Sequence, residues 1–324
     1  MNKAKVVYLF PGQGAQYPGM GMDFIVSGSV KSLFDTASEI LGRDVKELLQ
    51  ADAETLKRTD ISQPMITLAN LAAALYLGEQ GYNPVVCAGF SLGEYAALVS
   101  AGIINAADCL RLVKARGEAM QAAADRLREK SADPSAAPGM AAIMGLTPEK
   151  IEDLISQWSA AGLKDLYAAN INSNKQVVIS GTAEALTEAE ARFKEAGAKR
   201  IVRLQVAGPF HSPLMAEAAN AFSPVLNAVK FSDPAIAIYS NVTGNRITSG
   251  EDAKKLALQQ ITAPVRWVDE QFSIAGSAAS NGAGACLEVG PGKVLQGLWK
   301  DSESGLPCYP AGTVEEIGAL EDQK

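Results

Sequence analysis

Length, composition and charge restrict the protein to a globular class without general affinity for polyanions. At 324 residues the chain can form one large domain with an insertion, or two domains. Its 48% hydrophobic and 20% charged residues are ordinary for a protein with a full core. A net charge of -7 argues against binding nucleic acid or an anionic membrane, so an anionic substrate would need a local positive group.

The cysteines, the single histidine and the lack of long apolar runs narrow the class further. The four cysteines show no CxxC spacing, which favours reduced thiols and leaves no cluster for a transition metal. No apolar run approaches the length of a transmembrane helix, and the first residues lack a signal-peptide pattern. We therefore expect a cytoplasmic protein in which His211 is the only imidazole available as a base.

The first third of the chain predicts alternating strands and helices. A strand at Val6–Phe10 leads into a glycine-rich loop that lacks the Gly-Lys-Ser/Thr of a phosphate-binding loop. Amphipathic helical spacing follows over about residues 30 to 60. A nearly all-apolar helix is predicted over Met65–Leu77, with Pro64 in its first turn. Gln63 precedes this helix and could face either the core or a cleft.

The sequence Gly-Phe-Ser-Leu-Gly at residues 89–93 is typical of a nucleophile elbow. It lies between the strand-like run Val85–Ala88 and the helix-like run Leu92–Val99. The flanking glycines remove side chains that would clash in so tight a turn, and the Ser91 hydroxyl is then held at a helix N-terminus. The N–H of Leu92 would be half of an oxyanion hole. The alternative is a turn whose serine only caps the helix.

A second helix is predicted over about Ala106–Arg128, and it carries a candidate binding residue. Arg116 and Met120 are four residues apart and therefore share a face of this helix. Arg116 is either a surface charge paired with Glu118 or Asp125, or it reaches into the cleft above the serine. The spacing leaves both alternatives open.

Residues 134–205 are predicted to form a separate small domain. Residues 131–139 have the composition of a linker. Two of the strands are joined by a polar turn at Asn172–Lys175. The predicted order, βαββαβ, is that of the ferredoxin-like unit, and it would interrupt a larger domain formed by 1–133 and 206–324. The predicted elements are Met140–Met144, Thr147–Gly162, Leu166–Ile171, Gln176–Ser180, Thr182–Ala196 and Lys199–Gln205.

His211 follows this unit on a loop rich in proline and glycine, where the chain returns to the larger domain. A loop position at a domain junction favours the cleft over a purely structural role. An elbow serine with a histidine base implies acyl transfer through an acyl-serine. Since no acidic residue stands out as the third member, a backbone carbonyl could orient the imidazole instead.

The remaining sequence alternates again. We predict strands at Ala235–Val242 and Ala285–Val289, helices at Glu251–Ile261 and Lys293–Trp299, and a further helix from Pro264. This alternation predicts an α/β fold, with a large α/β-hydrolase-like domain whose parallel sheet is covered by helices on both faces. The carboxyl ends of the strands would form the ligand crevice.

A set of short motifs, weak singly and specific in their joint order, spans nearly the whole chain. They are Phe10–Gly14, Gln63–Pro64, Ser91–Tyr95, Arg116–Gly117 with Met120–Gln121, Asn172–Ser173 with Gln176–Val178, Gly208–Ser212, Pro264–Trp267 and Glu288–Leu295. In these motifs the chain resembles the malonyl-CoA:acyl-carrier-protein transacylases and the acyltransferases of polyketide synthases. That family also carries an inserted βαββαβ unit.

The resemblance implies a set of catalytic roles. Ser91 would be the nucleophile and His211 its base. The backbone carbonyl of Gln260 would orient the imidazole, which explains the missing acid. The backbone N–H groups of Gln13 and Leu92 would form the oxyanion hole.

The resemblance also implies how the acyl group is held. Arg116 would bind the free carboxylate of a malonyl group in a bidentate ion pair. Gln63, Asn172 and Met120 would line the cleft. Phe210 matches the malonyl-preferring version of the family, since a bulky ring there leaves little room for an α-methyl group.

Two positions depart from the family pattern. Phe90 stands where most members have a histidine before the nucleophile, and Ala263 stands where asparagine is common. We expect Phe90 to contribute to the substrate pocket and to alter its shape or acyl selectivity. Either departure could indicate a polyketide-type enzyme that acts in trans.

The implied reaction is a ping-pong transfer of malonyl from coenzyme A to the phosphopantetheine thiol of an acyl carrier protein. The implied partners are malonyl-CoA and the carrier protein, with no cofactor beyond the thioester substrate, and the protein is expected to be a monomer. A thioester hydrolase with the same Ser91 and His211 is the nearest alternative, although such relatives tend to lack the arginine. A non-catalytic acyl-CoA or carrier-protein binding module is the alternative from another class.

Overall fold

Two β-sheets organise the chain in the computed structural model, which describes residues 4–131 and 137–323. The strands are β1 Ala4–Phe10, β2 Tyr82–Gly89, β3 Gly139–Met144, β4 Leu166–Ser173, β5 Gln176–Gly181, β6 Arg200–Arg203, β7 Ala237–Ile238, β8 Cys286–Glu288 and β9 Cys308–Pro310. The α-helices are α1 Gly28–Leu41, α2 Val45–Leu49, α3 Ala53–Lys57, α4 Thr59–Glu79, α5 Gly93–Ser100, α6 Ala106–Glu129, α7 Pro148–Ala160, α8 Ala183–Glu195, α9 Ala216–Ala228, α10 Gly250–Gln259, α11 Trp267–Asn281, α12 Val294–Lys300 and α13 Val314–Gly318. Short 3-10 helices lie at Met22–Val26, Pro213–Met215 and Ala319–Gln323.

The larger sheet is parallel throughout, in the order β7-β2-β1-β8-β9. On one face, Tyr8 and Phe10 of β1 pack in a core that α1, α4, α5 and α6 also build. On the other face, Val7 and Leu9 pack with Trp267 of α11. Both faces of β1 are buried, which explains its continuous apolar sequence. The predicted α/β fold with a parallel sheet is confirmed.

The smaller sheet is antiparallel, in the order β4-β5-β3-β6. The helices α7 and α8 cover one face, and the other face turns Met140, Ala142 and Val178 toward the larger domain. This is the strand order of the ferredoxin-like unit. The predicted boundary between 133 and 134 lies outside the described residues, as do linker positions 132–136.

Backbone hydrogen bonds join β4 of the small sheet to the segment of the larger domain that precedes α11. The N–H of Ile171 in β4 donates to the Val265 carbonyl at 2.8 Å, and the N–H of Val265 donates to the Ala169 carbonyl at 2.9 Å. The small sheet is therefore held at a defined position over the segment that precedes α11.

Three local predictions are wrong. The helix α4 begins at Thr59, so Pro64 lies inside the helix rather than in its first turn. The proline costs one helical hydrogen bond, which the burial of every α4 residue from 61 to 73 offsets. Only Ala237–Ile238 of the strand predicted over Ala235–Val242 joins the larger sheet, while Tyr239 forms an isolated bridge with Arg246. The turn predicted at Asn172–Lys175 begins after Ser173.

The structure also forms elements that the sequence patterns did not predict, β9 and α13 near the carboxyl terminus. Over the residues with a described structure, no helix has both the length and the apolar character that crossing a membrane requires.

Candidate active site

Ser91 lies at the tip of the turn between β2 and α5, with a φ of 52°. Close backbone contacts, within the turn at Gly89 and with the end of β1 at Gly93, require glycine at both positions. A Cβ on Gly89 would lie 2.0 Å from the carbonyl carbon of Gly93. A Cβ on Gly93 would lie 2.0 Å from the carbonyl oxygen of Phe10. The geometry is that of the predicted elbow.

A chain of hydrogen bonds runs from the serine to a backbone carbonyl. Ser91 Oγ lies 2.7 Å from His211 Nε2, and His211 Nδ1 lies 2.8 Å from the carbonyl oxygen of Gln260. A carbonyl oxygen can only accept, so Nδ1 carries the hydrogen and Nε2 is left to accept from the serine hydroxyl. The structure thus brings these three predicted residues together.

His211 is held neutral by its surroundings. Burial lowers the pKa of this imidazole, the positive charge of Arg116 lowers it further, and it reaches about 4. The loop itself is fixed from the small sheet, since the Ser180 hydroxyl of β5 donates to the Phe210 carbonyl at 2.5 Å. Because its pKa lies well below 7, the imidazole is neutral at pH 7 and can accept a proton.

The glycine-rich loop after β1 reaches the elbow from the other side. A Cβ on Gly12 would lie 2.4 Å from the carbonyl oxygen of Phe90, and Asn70 Nδ2 donates to the Pro11 carbonyl at 3.0 Å. The N–H groups of Gln13 and Leu92 find no hydrogen-bond acceptor within residues 4–131 and 137–323. Two free donors therefore lie beside the serine, as an oxyanion hole requires.

Arg116 of α6 lies in the cleft and is 1% exposed. Its Nη2 donates to Gln260 Oε1 at 3.0 Å, and its guanidinium carbon lies 5.5 Å from the centre of the Tyr95 ring. It takes part in none of the ion pairs that the described residues form. The alternative of a surface charge paired with Glu118 or Asp125 is wrong. A buried guanidinium without an acidic partner is suited to an anionic ligand.

The cleft between the two sheets has a volume of about 350 Å³. Ten of the predicted site residues line it: Gln13, Gln63, Phe90, Ser91, Leu92, Arg116, Met120, Asn172, Phe210 and His211. The eleventh, Gln260, is fully buried behind them. Since β3 to β6 supply one wall and the elbow supplies the other, the cleft exists only where the two sheets meet.

Two amides in the wall retain free acceptor atoms. Gln63 Nε2 lies 3.4 Å from Met120 Sδ, while Gln63 Oε1 has no partner in the described part of the chain. Asn172 Nδ2 donates to Gln176 Oε1 at 2.8 Å, and Asn172 Oδ1 is likewise without a partner there. Both oxygens are buried, so each amide is only partly satisfied by the protein around it.

The two phenylalanines that were predicted to shape the pocket, Phe90 and Phe210, pack differently. Phe90 meets Trp267 edge to face, with ring centres 5.5 Å apart and planes at 79°. Phe210 is buried at 5% exposure beside the histidine. Phe90 is therefore both part of the cleft wall and part of the contact with α11.

The sequence patterns did not identify Asn241, which lies under the elbow. Its Oδ1 accepts from the N–H of Ser91 at 2.6 Å, and its Nδ2 donates to the Gly89 carbonyl at 2.7 Å and to Glu270 Oε2 at 2.9 Å. Its own N–H donates to Glu94 Oε2 at 2.8 Å. One side chain thus bonds the turn at Gly89 and at Ser91.

The two acids around Asn241 are Glu94 and Glu270, and the position of Glu94 in the sequence could have indicated a buried polar network here. Glu94 is a lone charge in the otherwise apolar helix after the elbow, and it is 1% exposed. Burial raises its pKa to about 7. Burial, and then the charge of Glu94, raises the pKa of Glu270 well above its usual range.

The fold and this geometry define an α/β protein that presents an elbow serine to a buried histidine. Comparison with known proteins narrows that class. The family model described as "Acyl transferase domain" matches residues 7–305. The chain therefore belongs to the acyl transferase domain family.

Several relatives resemble the chain over nearly its whole length. The malonyl CoA-acyl carrier protein transacylase of Bacillus subtilis strain 168 is 37% identical over 316 residues, or 97% of this chain and 95% of that protein. A crystal structure of MCAT from Streptococcus pneumoniae has a TM-score of 0.87 at 34% identity, covering 98% of this chain and 100% of that one. A structure described as a type II PKS acyl-carrier protein in complex with its malonyl-transacylase has a TM-score of 0.87 at 33% identity, covering 99% of this chain and 100% of that one.

Proposed function

We propose that the protein transfers a malonyl group from coenzyme A to the phosphopantetheine thiol of an acyl carrier protein, through a malonyl ester of Ser91. The observation that carries the proposal is the hydrogen-bond chain Ser91–His211–Gln260 in the cleft that also contains Arg116. The relative named malonyl CoA-acyl carrier protein transacylase supports this donor and this acceptor.

In the first half-reaction, Ser91 Oγ attacks the thioester carbonyl of malonyl-CoA and its proton passes to His211 Nε2. The N–H groups of Gln13 and Leu92 stabilise the oxyanion of the tetrahedral intermediate. As this intermediate collapses, the carbon–sulfur bond breaks and His211 gives the proton to the departing CoA thiolate. Ser91 then carries the malonyl ester.

In the second half-reaction, the phosphopantetheine thiol of the carrier protein gives its proton to His211 as its sulfur attacks the ester carbonyl. His211 then protonates Ser91 Oγ as the carbon–oxygen bond breaks. The lowered pKa of His211 supports this scheme, because each half-reaction begins with a neutral imidazole. The steps use only side chains, backbone donors and the two thioester partners, so we propose no resident cofactor.

Acyl selection depends on Arg116. Its guanidinium binds the malonyl carboxylate through two parallel N–H···O bonds, which an acetyl group cannot form. Gln63, Met120 and Asn172 line the space around the acyl group, and Phe210 limits its width. Phe90 shapes the wall beside the nucleophile.

The test is intact-mass measurement after brief mixing with malonyl-CoA, for wild type beside Ser91→Ala. We expect a malonyl adduct on wild type only, discharged quickly by an added carrier protein and slowly by water. An adduct lost to water as fast as to the carrier protein would support a hydrolase instead. No adduct with any acyl-CoA would contradict the assignment of Ser91.

The hydrolase alternative has no support from the relatives above, which are transacylases by name. We propose further that the protein acts as a monomer in the cytoplasm, in fatty acid or polyketide synthesis. The relative that is bound to a type II PKS acyl-carrier protein supports including the second pathway.

A further inference from the structure

Gln260 contacts three parts of the site at once, two through its side chain and one through its backbone. Its Oε1 accepts from Arg116 Nη2 at 3.0 Å. Its Nε2 donates to the carbonyl oxygen of Ser91 at 3.0 Å and to Asn241 Oδ1 at 3.3 Å. Its backbone carbonyl accepts from His211 at 2.8 Å. One fully buried residue therefore joins the guanidinium, the elbow and the histidine.

The partner that orients Arg116 is a neutral amide. The nearby acid Glu94 directs one carboxylate oxygen to the N–H of Asn241, and it forms no ion pair with Arg116. A carboxylate at position 260 would form a buried ion pair with the guanidinium and compete with any anionic ligand. An amide oxygen fixes the guanidinium in place without adding a negative charge beside it.

We propose that the side chain of Gln260 determines acyl specificity, by orienting Arg116 with a neutral oxygen so that the guanidinium keeps its charge for the carboxylate of the acyl group. This inference rests on the proposed function, in which Arg116 binds that carboxylate. The bond from Gln260 Nε2 to the Ser91 carbonyl ties the guanidinium to the elbow. The same side chain therefore sets the position of the bound carboxylate relative to the nucleophile.

The test compares kcat/KM for malonyl-CoA with kcat/KM for acetyl-CoA in wild type and Gln260→Glu. The substitution keeps the shape of the side chain and the backbone carbonyl that His211 uses. We expect the malonyl-to-acetyl ratio to fall about 10- to 100-fold, mainly through a higher KM for malonyl-CoA. Any disturbance of the elbow affects both acyl groups and cancels in the ratio.

A second variant, Gln260→Met, separates orientation from charge. Methionine keeps the length of the side chain and removes its hydrogen bonds without adding a negative charge. We expect the ratio to fall about 2- to 10-fold, less than with glutamate. This variant also provides the test if Gln260→Glu does not fold. Gln259→Glu is the matched control, because it adds the same charge at the exposed neighbouring position and should leave the ratio unchanged.

The outcomes distinguish the inference from the function on which it rests. An unchanged ratio in both Gln260 variants, with Arg116→Ala losing the malonyl preference, overturns the inference alone. An unchanged ratio in Arg116→Ala overturns the proposed role of the arginine, and the inference with it. A fall that is equal for both acyl groups would mean that Gln260 has only a structural role.

Discussion

Ser91 and His211 are both held in a backbone conformation that few residues adopt. Their φ angles are 52° and 55°, in the left-handed region, which costs a non-glycine residue on the order of 1–2 kcal/mol. Asn241 bonds the N–H of Ser91, and Ser180 bonds the carbonyl of Phe210. Of the four non-glycine residues with positive φ in the described parts of the chain, the other two being Asp165 and Glu303, these are the two whose side chains meet. The pair is therefore preorganised for proton transfer.

The buried guanidinium of Arg116 is expected to set the preference for malonyl over acetyl groups. With Arg116→Ala we expect kcat/KM for malonyl-CoA to fall at least about 100-fold, since two charge-assisted hydrogen bonds are lost. Transfer of an uncharged acetyl group should persist or rise. Steady-state kinetics with both thioesters would measure the change.

The control for this prediction is Arg116→Lys. Lysine keeps the positive charge and loses the planar pair of donors, so we expect an intermediate loss of malonyl transfer. If the alanine variant kept the wild-type preference for malonyl over acetyl, the arginine would have no part in selection.

Among the elements, the elbow depends on close backbone contact at both of its glycines. With Gly89→Ala we expect unfolding free energy to fall by about 1–3 kcal/mol or more, because the added Cβ meets the backbone of Gly93 at 2.0 Å. The Ser91–His211 distance should change as well, so the malonyl adduct should form slowly or not at all. Denaturant unfolding and intact mass are the measurements.

Gly276→Ala is the matched control for the elbow. Gly276 lies inside α11, and a Cβ there would meet nothing within 4 Å. We expect this variant to be as stable as wild type or more stable, by up to about 1 kcal/mol, because alanine is the better helix former. Equal destabilisation by the two substitutions would contradict the close-contact explanation.

In the whole molecule, the cleft forms where the two sheets meet. The small sheet supplies Asn172 and the bond from Ser180 to the histidine loop, and the larger domain supplies Ser91 and Arg116. Neither sheet alone holds both a nucleophile and a wall for the acyl group. A change that shifts one sheet against the other would therefore lower activity without touching Ser91.

The buried acids make global stability depend on pH. Glu94 has a pKa raised from 4.5 to about 7, so the folded protein holds a proton that the unfolded chain releases between these values. Stability from this group therefore falls as pH rises through that window. We expect Glu94→Gln to raise the free energy of unfolding at pH 8 by about 1–3 kcal/mol, with little effect near pH 4.5.

Urea unfolding of both proteins at the two pH values measures this difference. His211 affects the pH dependence of stability with the opposite sign. Its pKa is lowered from 6.5 to about 4, so the unfolded chain takes up a proton between these pH values and stability from this group falls as the pH falls. That contribution is common to both proteins and cancels in the comparison. A difference that is the same at both pH values would mean that the titration of Glu94 is not its cause.

The elbow and the order of elements could be predicted because they depend on local structure. Glycines at 89 and 93 between a strand and a helix leave few alternatives to a sharp turn. The limits of α4 and β7 could not be predicted in this way. Burial keeps Pro64 inside a helix, and the chain leaves the sheet after Ile238, which allows Asn241 to bond beneath the serine.

The sequence by itself determined the fold class, the candidate nucleophile and the one imidazole that could serve it. Only the tertiary structure decided that Arg116 is buried and forms no ion pair with the acids in the described part of the chain, and that Gln260 and Asn241 join it to the elbow. Ser91 and Asn241 are 150 positions apart, and Arg116 and Gln260 are 144 apart. Local sequence patterns indicate turns and the apolar faces of helices and strands. Contacts between residues so far apart in the chain depend on how the sheet and its helices pack.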